Sequence, residues 1–343
     1  MTPTAPPSAL DPIEVRDRLS PAGAVLLLAA ICLAQSVLAY GWMERNGFVE
    51  RPFVTDAGWY RVEALGFRNA YVASGVTGWI RAGLAADTSH PPTVPMLVGL
   101  VAGLRGEPGV SYDAAFLTIQ AFAAAFLFGS YLLARRFMGR TAAVAVAALV
   151  ASTPVFIPNL RPFFPQMPMS AMLVWTSYAL LAADGFSRRG ASIAAGVLAG
   201  TAAMVKMLAP LYCAGTVAAA LWLAVRRPGP KRRPLMNAAS ALAAAGLVAL
   251  PWYAQHWRTV WYYTASVTGD EGQERYSAAM SAGSLARWIY YPYHFLNSGL
   301  GWLIAVPFLA AVAWGATVLI RSARRRSELP PAARRRIRDA LLL

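Results

Sequence analysis

Long apolar runs separated by short polar segments make up most of this chain of 343 residues. A run of about 20 apolar residues is long enough to cross a bilayer as a helix. Runs of this kind lie at roughly 21–43, 114–134, 141–157, 169–183, 235–252 and 302–320. The apolar block 190–225 is long enough for a hairpin of two further spans, broken near Lys206–Pro210. The pattern predicts an all-α membrane protein, a polytopic helical bundle of about eight transmembrane helices.

Two longer segments, 44–112 and 253–301, mix polar, charged and aromatic residues. In the first segment, Asp56 or the threonine before it can cap a helix. The apolar run Val94–Leu104 is too short to cross a bilayer of about 30 Å, which favours an interfacial or re-entrant helix. The two prolines after His90 exclude a helix there and make that turn rigid. We expect 44–112 to be a loop that carries short interfacial helices.

The formal net charge of +15 raises the question of a nucleic-acid partner, and the positions of the basic residues answer it. If residues 1–20 are placed in the cytoplasm, 20 of the 31 Lys and Arg residues fall in tails and connections on the cytoplasmic side. This one-sided distribution follows the positive-inside rule. The basic residues therefore anchor spans at anionic lipid headgroups, and they do not indicate nucleic acid.

The same distribution predicts a multi-pass protein of the plasma (inner) membrane with both termini in the cytoplasm. We expect a cytoplasmic tail at 1–20, one transmembrane domain at 21–320 and a basic cytoplasmic tail at 321–343. The loops 44–112 and 253–301 then both face outward.

The sequence does not indicate a metal or a disulfide. Cys32 and Cys213 both lie inside apolar runs, which excludes a disulfide framework and a cysteine zinc site. Asp270, Glu271 and Glu274 lie close together in the second loop, but neighbouring acids on a solvated loop are more common than a metal site. We expect no metal and no cofactor.

Several short motifs follow one another in a fixed order over roughly residues 21–255, and together they resemble a known family. The order is an Asp-Ala-Gly-Trp-Tyr element at 56–60, His90-Pro91-Pro92, Leu104-Arg105-Gly106, the basic exit at 134–142, Thr153-Pro154, the segment Gly196…Gly200…Lys206 and Leu250-Pro251-Trp252-Tyr253. In this order they look like the polytopic GT-C glycosyltransferases of the protein-mannosyltransferase and aminoarabinose-transferase type. The resemblance implies a GT-C-like fold and a membrane enzyme.

The resemblance further implies a polyprenyl-phosphate-linked sugar as donor and a hydroxyl of an acceptor protein or glycolipid at the outer membrane face. The catalytic aspartate of the family corresponds to Asp56. The residue after it is Ala57, where relatives often have an acid, and Gln166 stands where many relatives have another aspartate. These departures, with the small number of spans, favour an alternative: a non-catalytic polytopic protein that binds a lipid-linked sugar, belongs to a flippase or is an inactive relative. A secondary transporter is a weaker hypothesis, because the chain shows no internal repeat.

Each candidate residue of this site also has a purely structural interpretation. Asp56 is either the general base for the acceptor hydroxyl or only a helix cap. His90 either contacts substrate or is only a residue of the rigid turn. Lys206 either binds the donor phosphate or extends to the membrane interface, because a lysine inside the bilayer is costly unless it is paired. Arg161 either clamps a phosphate or lies at headgroup level.

The remaining candidates are aromatic or lie in the second loop. Tyr60 belongs to the same element as Asp56, and His256 and Arg258 follow the predicted span 235–252. We predict that all three bind substrate, although aromatic residues near a span end are usually interfacial belt residues.

Overall fold

The structure is a computed structural model that describes residues 19–47, 56–226 and 230–268, together with Tyr293, Leu296, Val306, Leu309, Ala313 and Thr317. In residues 19–268 the described parts form helices and short connections, with no strand. The helices are α1 Pro21–Arg45, α2 Asp56–Ala85, α3 Thr93–Leu104, α4 Tyr112–Ala134, α5 Arg140–Ala151, a 3₁₀ helix Ile157–Leu160, α6 Gln166–Ala183, α7 Arg189–Val205, α8 Ala209–Arg226 and α9 Arg232–Thr268. The prediction of an all-α membrane protein is confirmed.

Within the described residues, four helices are long and apolar enough to cross a membrane. They are α1, α4, α8 and the part of α9 from Arg232 to Ser266. The shorter apolar helices α3, α5 and α7 pack among them. The block 190–225, predicted as a hairpin of two spans, forms the two helices α7 and α8, with the break at Lys206–Leu208. Of these two, α8 is long and apolar enough to cross a membrane and α7 is shorter. The predicted span at 302–320 and both tails lie almost entirely outside the described residues.

The third predicted span, 141–157, is wrong in its extent, because α5 ends at Ala151. The hydroxyl groups of Ser152 and Thr153 bond back to the carbonyl oxygens of Ala148 and Val150 at 2.8 Å. Pro154 then disfavours a helical conformation for the residue before it. Hydropathy alone does not register this stop, because the residues that follow are again apolar.

The prediction of a loop from Tyr253 is also wrong at its start, because α9 continues to Thr268. Residues 253–268 contain neither glycine nor proline, so nothing in the chain stops the helix there. The helix does contain Pro251 and a non-helical residue, His256, at φ −114° and ψ 15°. Residues 253–268 therefore continue helix α9, with a break at His256.

Helix α2 accounts for most of the first polar segment. It has 30 residues and is interrupted at Ser74 and Gly75, where Gly75 adopts a left-handed φ of 62°. It packs mainly on α3, which confirms a helix in the apolar run 94–104. At the contact, a Cβ atom on Gly99 would lie 2.9 Å from the backbone nitrogen of Arg68, so the two helices approach closely only because this residue is glycine.

Basic connections gather at one end of the bundle, which we call the basic end. The guanidinium of Arg140 donates to the carbonyl oxygen of Leu19, before α1, at 3.2 Å, and that of Arg136 donates to the carbonyl oxygen of Leu181, near the end of α6, at 3.3 Å. The side chain of Asn237 on α9 donates to Phe186 at 2.8 Å. The connections α4–α5 and α6–α7, with the starts of α1 and α9, therefore lie together.

Candidate active site

The opposite end of the bundle, which we call the site end, collects residues that are far apart in the sequence. Met43 near the end of α1, Leu160 of the 3₁₀ helix, Met167 in the first turn of α6 and Val205 at the end of α7 are buried in one hydrophobic cluster. Leu160 and Val205 directly precede the polar candidate residues Arg161 and Lys206. The apolar cluster therefore fixes where those polar residues emerge.

Lys206 follows the last residue of α7 and has an extended backbone, at φ −153° and ψ 129°. Its backbone N–H donates to the carbonyl oxygen of Ala202, and its carbonyl oxygen accepts from the N–H of Ala209, which begins α8. Its side chain is half-buried. The break between the two helices is therefore built around this lysine, at the site end.

Arg161 follows the 3₁₀ helix and is also extended. Its guanidinium lies 5.9 Å from the ring centre of Trp42 on α1 and 5.8 Å from that of Phe164, so both rings face a cation. The side chain is half-buried. This arrangement holds a second cation at the same end as Lys206.

Asp56 is the first residue of α2, one turn before Tyr60. Only its backbone belongs to the described residues, and the threonine predicted as an alternative cap lies outside them. Tyr60 is buried in a cluster with Ala114 of α4 and Phe163 of the 161–165 turn. The start of α2 is therefore packed against the segment that carries Arg161.

His90 lies in the turn between α2 and α3. Its ring Nδ1 is 2.9 Å from the hydroxyl oxygen of Ser89, and its carbonyl oxygen accepts from Thr88 at 2.5 Å. The imidazole lies edge-on between two tyrosines, with ring centres 5.9 Å from Tyr60 and 4.5 Å from Tyr263. The structure thus brings together two of the predicted substrate-binding residues, His90 and Tyr60.

His256 and Arg258 have different environments. His256 is only 7% exposed and lies against the ring of Trp252 at 5.1 Å. Neither of its ring nitrogens has a hydrogen-bond partner within the described part of the chain. Arg258 is exposed, with its guanidinium 5.6 Å from the ring centre of Trp257. The two side chains are therefore not paired with each other. Of the two, only Arg258 is accessible from solvent.

Glu63 was not among the residues selected from the sequence. Its side chain lies on the buried face of α2, between Tyr60 and Phe67, and its Oε2 has no hydrogen-bond partner in the described part of the protein. Burial raises the pKa of this carboxyl from 4.5 to about 7. Its spacing of seven residues from Asp56 places the two acids on one side of the helix, and that spacing is the signal that could have identified it.

Gln166 occupies the start of α6, next to the cation-bearing turn. Its Oε1 is buried and has no hydrogen-bond partner among the described groups. Within residues 19–47, 56–226 and 230–268, no group of three or more His, Cys, Asp or Glu side chains is arranged to hold a metal ion.

An apolar cavity of about 220 Å³ lies beside the site end, between α2, α3, α7 and α9. Its walls include Trp79, Met96, Met204 and Val248. Met204 stands two residues before Lys206, and the cavity wall at Thr93 stands three residues after His90. The polar residues Lys206 and His90 are therefore close in sequence to residues of the apolar cavity wall at this end.

Comparison with known proteins gives one family. The family described as dolichyl-phosphate-mannose-protein mannosyltransferase matches residues 89–257. No curated protein and no solved structure matches the chain. The matched region contains His90, Arg161, Lys206 and His256, and it ends one residue before Arg258. Residues 89–257 are therefore similar to a family of membrane glycosyltransferases of the GT-C type.

Proposed function

We propose that this protein transfers a sugar from a polyprenyl-phosphate donor to an acceptor hydroxyl at the extracytoplasmic face of the membrane. The observation that supports it best is the gathering of the start of α2, His90, Arg161 and Lys206 at the end of the bundle opposite the basic end. A site with two cations, a rigid histidine turn and an adjacent apolar cavity suits an anionic lipid-linked sugar.

The proposed reaction is a single inverting displacement. The carboxylate of Asp56 takes the proton of the acceptor hydroxyl, and the acceptor oxygen attacks the anomeric carbon. The bond between that carbon and the phosphate oxygen breaks, and polyprenyl phosphate leaves with the electron pair. Lys206 and Arg161 stabilise the charge on the departing phosphate.

The other proposed residues bind and orient the substrates. Tyr60 and His90 line the start of α2, where the acceptor and the sugar would meet. Arg258 has an exposed guanidinium that a phosphate can reach. The buried His256 would contact substrate only after a movement of α9.

The proposal is tested with the purified protein and radiolabelled dolichyl-phosphate mannose, followed by a panel of other polyprenyl-phosphate sugars. An enzyme discharges the lipid when acceptor is present, whereas a binder or flippase component retains it intact. Intact lipid across the whole panel, with binding preserved, would favour the non-catalytic alternative.

Asp56→Asn tests the assigned base, since asparagine keeps the size of the side chain and can still cap a helix. We expect transfer to fall by a factor on the order of 10²–10⁴, the usual range for a lost general base. Donor binding and thermal stability should stay near those of the wild type, because the cations that hold the phosphate are unchanged. Normal turnover of this variant contradicts the assignment.

A further inference from the structure

Four residues of α9 follow one another at helical spacing, and three of them contact the turn that carries His90. They are Trp252, His256, Thr259 and Tyr263, separated by four, three and four positions, which places them along one side of a helix. We call these four residues the α9 strap. The non-helical residue His256 lies within it.

Three members of the strap contact three successive points of the turn. The indole N–H of Trp252 donates to the carbonyl oxygen of Ala86 at 3.0 Å, and Trp252 is fully buried. The hydroxyl of Thr259 donates to Oδ1 of Asp87 at 2.8 Å. The ring of Tyr263 lies 4.5 Å from the imidazole of His90, at 61°. The contacts run in register along both segments.

The turn depends on such external contacts for its shape. Residues 86–92 have no helical or strand structure, and their internal hydrogen bonds include those of Thr88 and Ser89 to His90. The following prolines restrict the turn on the side of α3. The strap supplies the contacts on the other side, from residues more than 160 positions later in the chain.

We propose that the α9 strap is a positioning device for His90, and that Tyr263 sets the orientation of its imidazole. The proposal rests on the proposed function, in which His90 contacts substrate. Tyr60 and Tyr263 enclose the ring from α2 and α9, so a shift of α9 changes the direction in which the ring nitrogens point. A displacement of a site group by about 1 Å can cost on the order of 10²-fold in rate.

The geometry is tested in the full-length protein by nuclear magnetic resonance with isotope-labelled histidine. The chain has three histidines, so His→Gln variants assign the resonances. Tyr263→Leu removes the ring against His90 and should shift the His90 imidazole resonances, whereas Tyr263→Phe should leave them near their wild-type positions. Tyr262→Leu is the matched control, because the neighbouring tyrosine is 73% exposed. Unchanged His90 resonances in Tyr263→Leu would overturn the proposal.

The functional consequence is tested by transfer assays on the same variants. We expect Tyr263→Leu to lower transfer by at least about tenfold and Tyr262→Leu to stay within about twofold. In a His90→Ala background the loss from Tyr263→Leu should disappear, because a residue that acts through His90 has nothing left to position. Equal losses with and without His90 would show that Tyr263 contributes only to packing and would refute the strap.

Thr259→Val gives a second, independent measurement. It keeps the shape of the side chain and removes the hydrogen bond to Asp87, and it should move the His90 resonances while the ring of Tyr263 is still present. Thr259→Ser should restore them. Failure of the proposed function would appear as intact lipid donor with wild-type protein, whereas failure of the strap would appear as insensitive His90 resonances, so the two outcomes are distinguishable.

Discussion

At the scale of single residues, α2 carries two acids that lie on one side of the helix by their spacing. Helix α2 begins with Asp56, and we propose this residue as the base. Glu63 lies two turns further along, half-buried between Tyr60 and Phe67, and its pKa is raised to about 7 because burial penalises the charged form. The position of Asp56 follows from a motif, but the burial of Glu63 depends on packing between α2 and its neighbours, which no local pattern reveals.

The raised pKa of Glu63 predicts a pH-dependent effect on stability. The carboxyl ionises near 4.5 in the unfolded chain and near 7 in the folded protein, so ionisation destabilises the fold increasingly as pH rises through that window. Glu63→Gln removes this cost. Its melting temperature should exceed that of the wild type by on the order of 2–4 °C at pH 8, with no gain at about pH 4, where both states are protonated. Thermal scans in detergent at both pH values measure it, and an equal difference at both would contradict the explanation.

Lys206 is expected to act on donor binding rather than on turnover. If its ammonium group meets the phosphate in both the ground state and the transition state, Lys206→Met raises KM for the lipid donor and leaves kcat nearly unchanged. We expect an increase on the order of tenfold, the size of a lost hydrogen bond to a charged group. Lys206→Arg, which keeps the charge, is the control. A wild-type KM in a folded Lys206→Met protein would leave only an interfacial role for this lysine.

At the scale of helices, the position of Lys206 is determined by the contact between α7 and α9. A Cβ atom on Gly200 would lie 2.6 Å from the carbonyl oxygen of Ala245 and 2.9 Å from Cβ of Val248. The two helices therefore approach closely along this glycine, and Tyr253 fixes their far end by donating to the carbonyl oxygen of Ala203 at 2.9 Å. The glycines before Lys206 that contributed to the family resemblance thus have a packing role in the structure.

This contact predicts a difference between two substitutions on one helix. Gly200→Ala forces α7 away from α9 and should lower the free energy of unfolding by about 1–3 kcal/mol, as overpacking does, with a loss of donor affinity through Lys206. Gly190→Ala, in the first turn of the same helix, meets no atom within 4 Å and should be neutral. Thermal unfolding and donor-binding titrations of the pair measure the difference. Equal stabilities would show that the helices can separate without cost.

Element boundaries mark the limit of what hydropathy predicts. The break at Lys206 was predicted because a charge interrupts an apolar run, and the helix at 94–104 because the apolar run there is too short to cross a bilayer. Helix α5 ends early because the hydroxyl groups of Ser152 and Thr153 bond back to its carbonyl oxygens. Helix α9 extends beyond Trp252 because residues 253–268 contain neither glycine nor proline. Neither feature changes the average hydropathy of its segment.

At the scale of the whole molecule, the bundle has two ends of different chemistry. One carries the basic connections, joined by the bonds of Arg136, Arg140 and Asn237. The other carries Arg161, Lys206 and the aromatic surroundings of His90. The charge distribution could be read from the sequence because the spans set which connections share a side. The contacts of His90 with α9 could not, because they join residues separated by more than 160 positions.

The two ends make the orientation in the membrane testable with a matched pair of glycines. Gly109, between α3 and α4 at the site end, and Gly190, beside the basic end, both have no atom within 4 Å of an added Cβ, so a cysteine fits at either position. In a background with Cys32 and Cys213 replaced by alanine, a membrane-impermeant maleimide should label Gly109→Cys in intact cells. Gly190→Cys should react only after permeabilisation, because basic connections remain in the cytoplasm. The reverse labelling would place the proposed site on the cytoplasmic side and would exclude an extracytoplasmic acceptor.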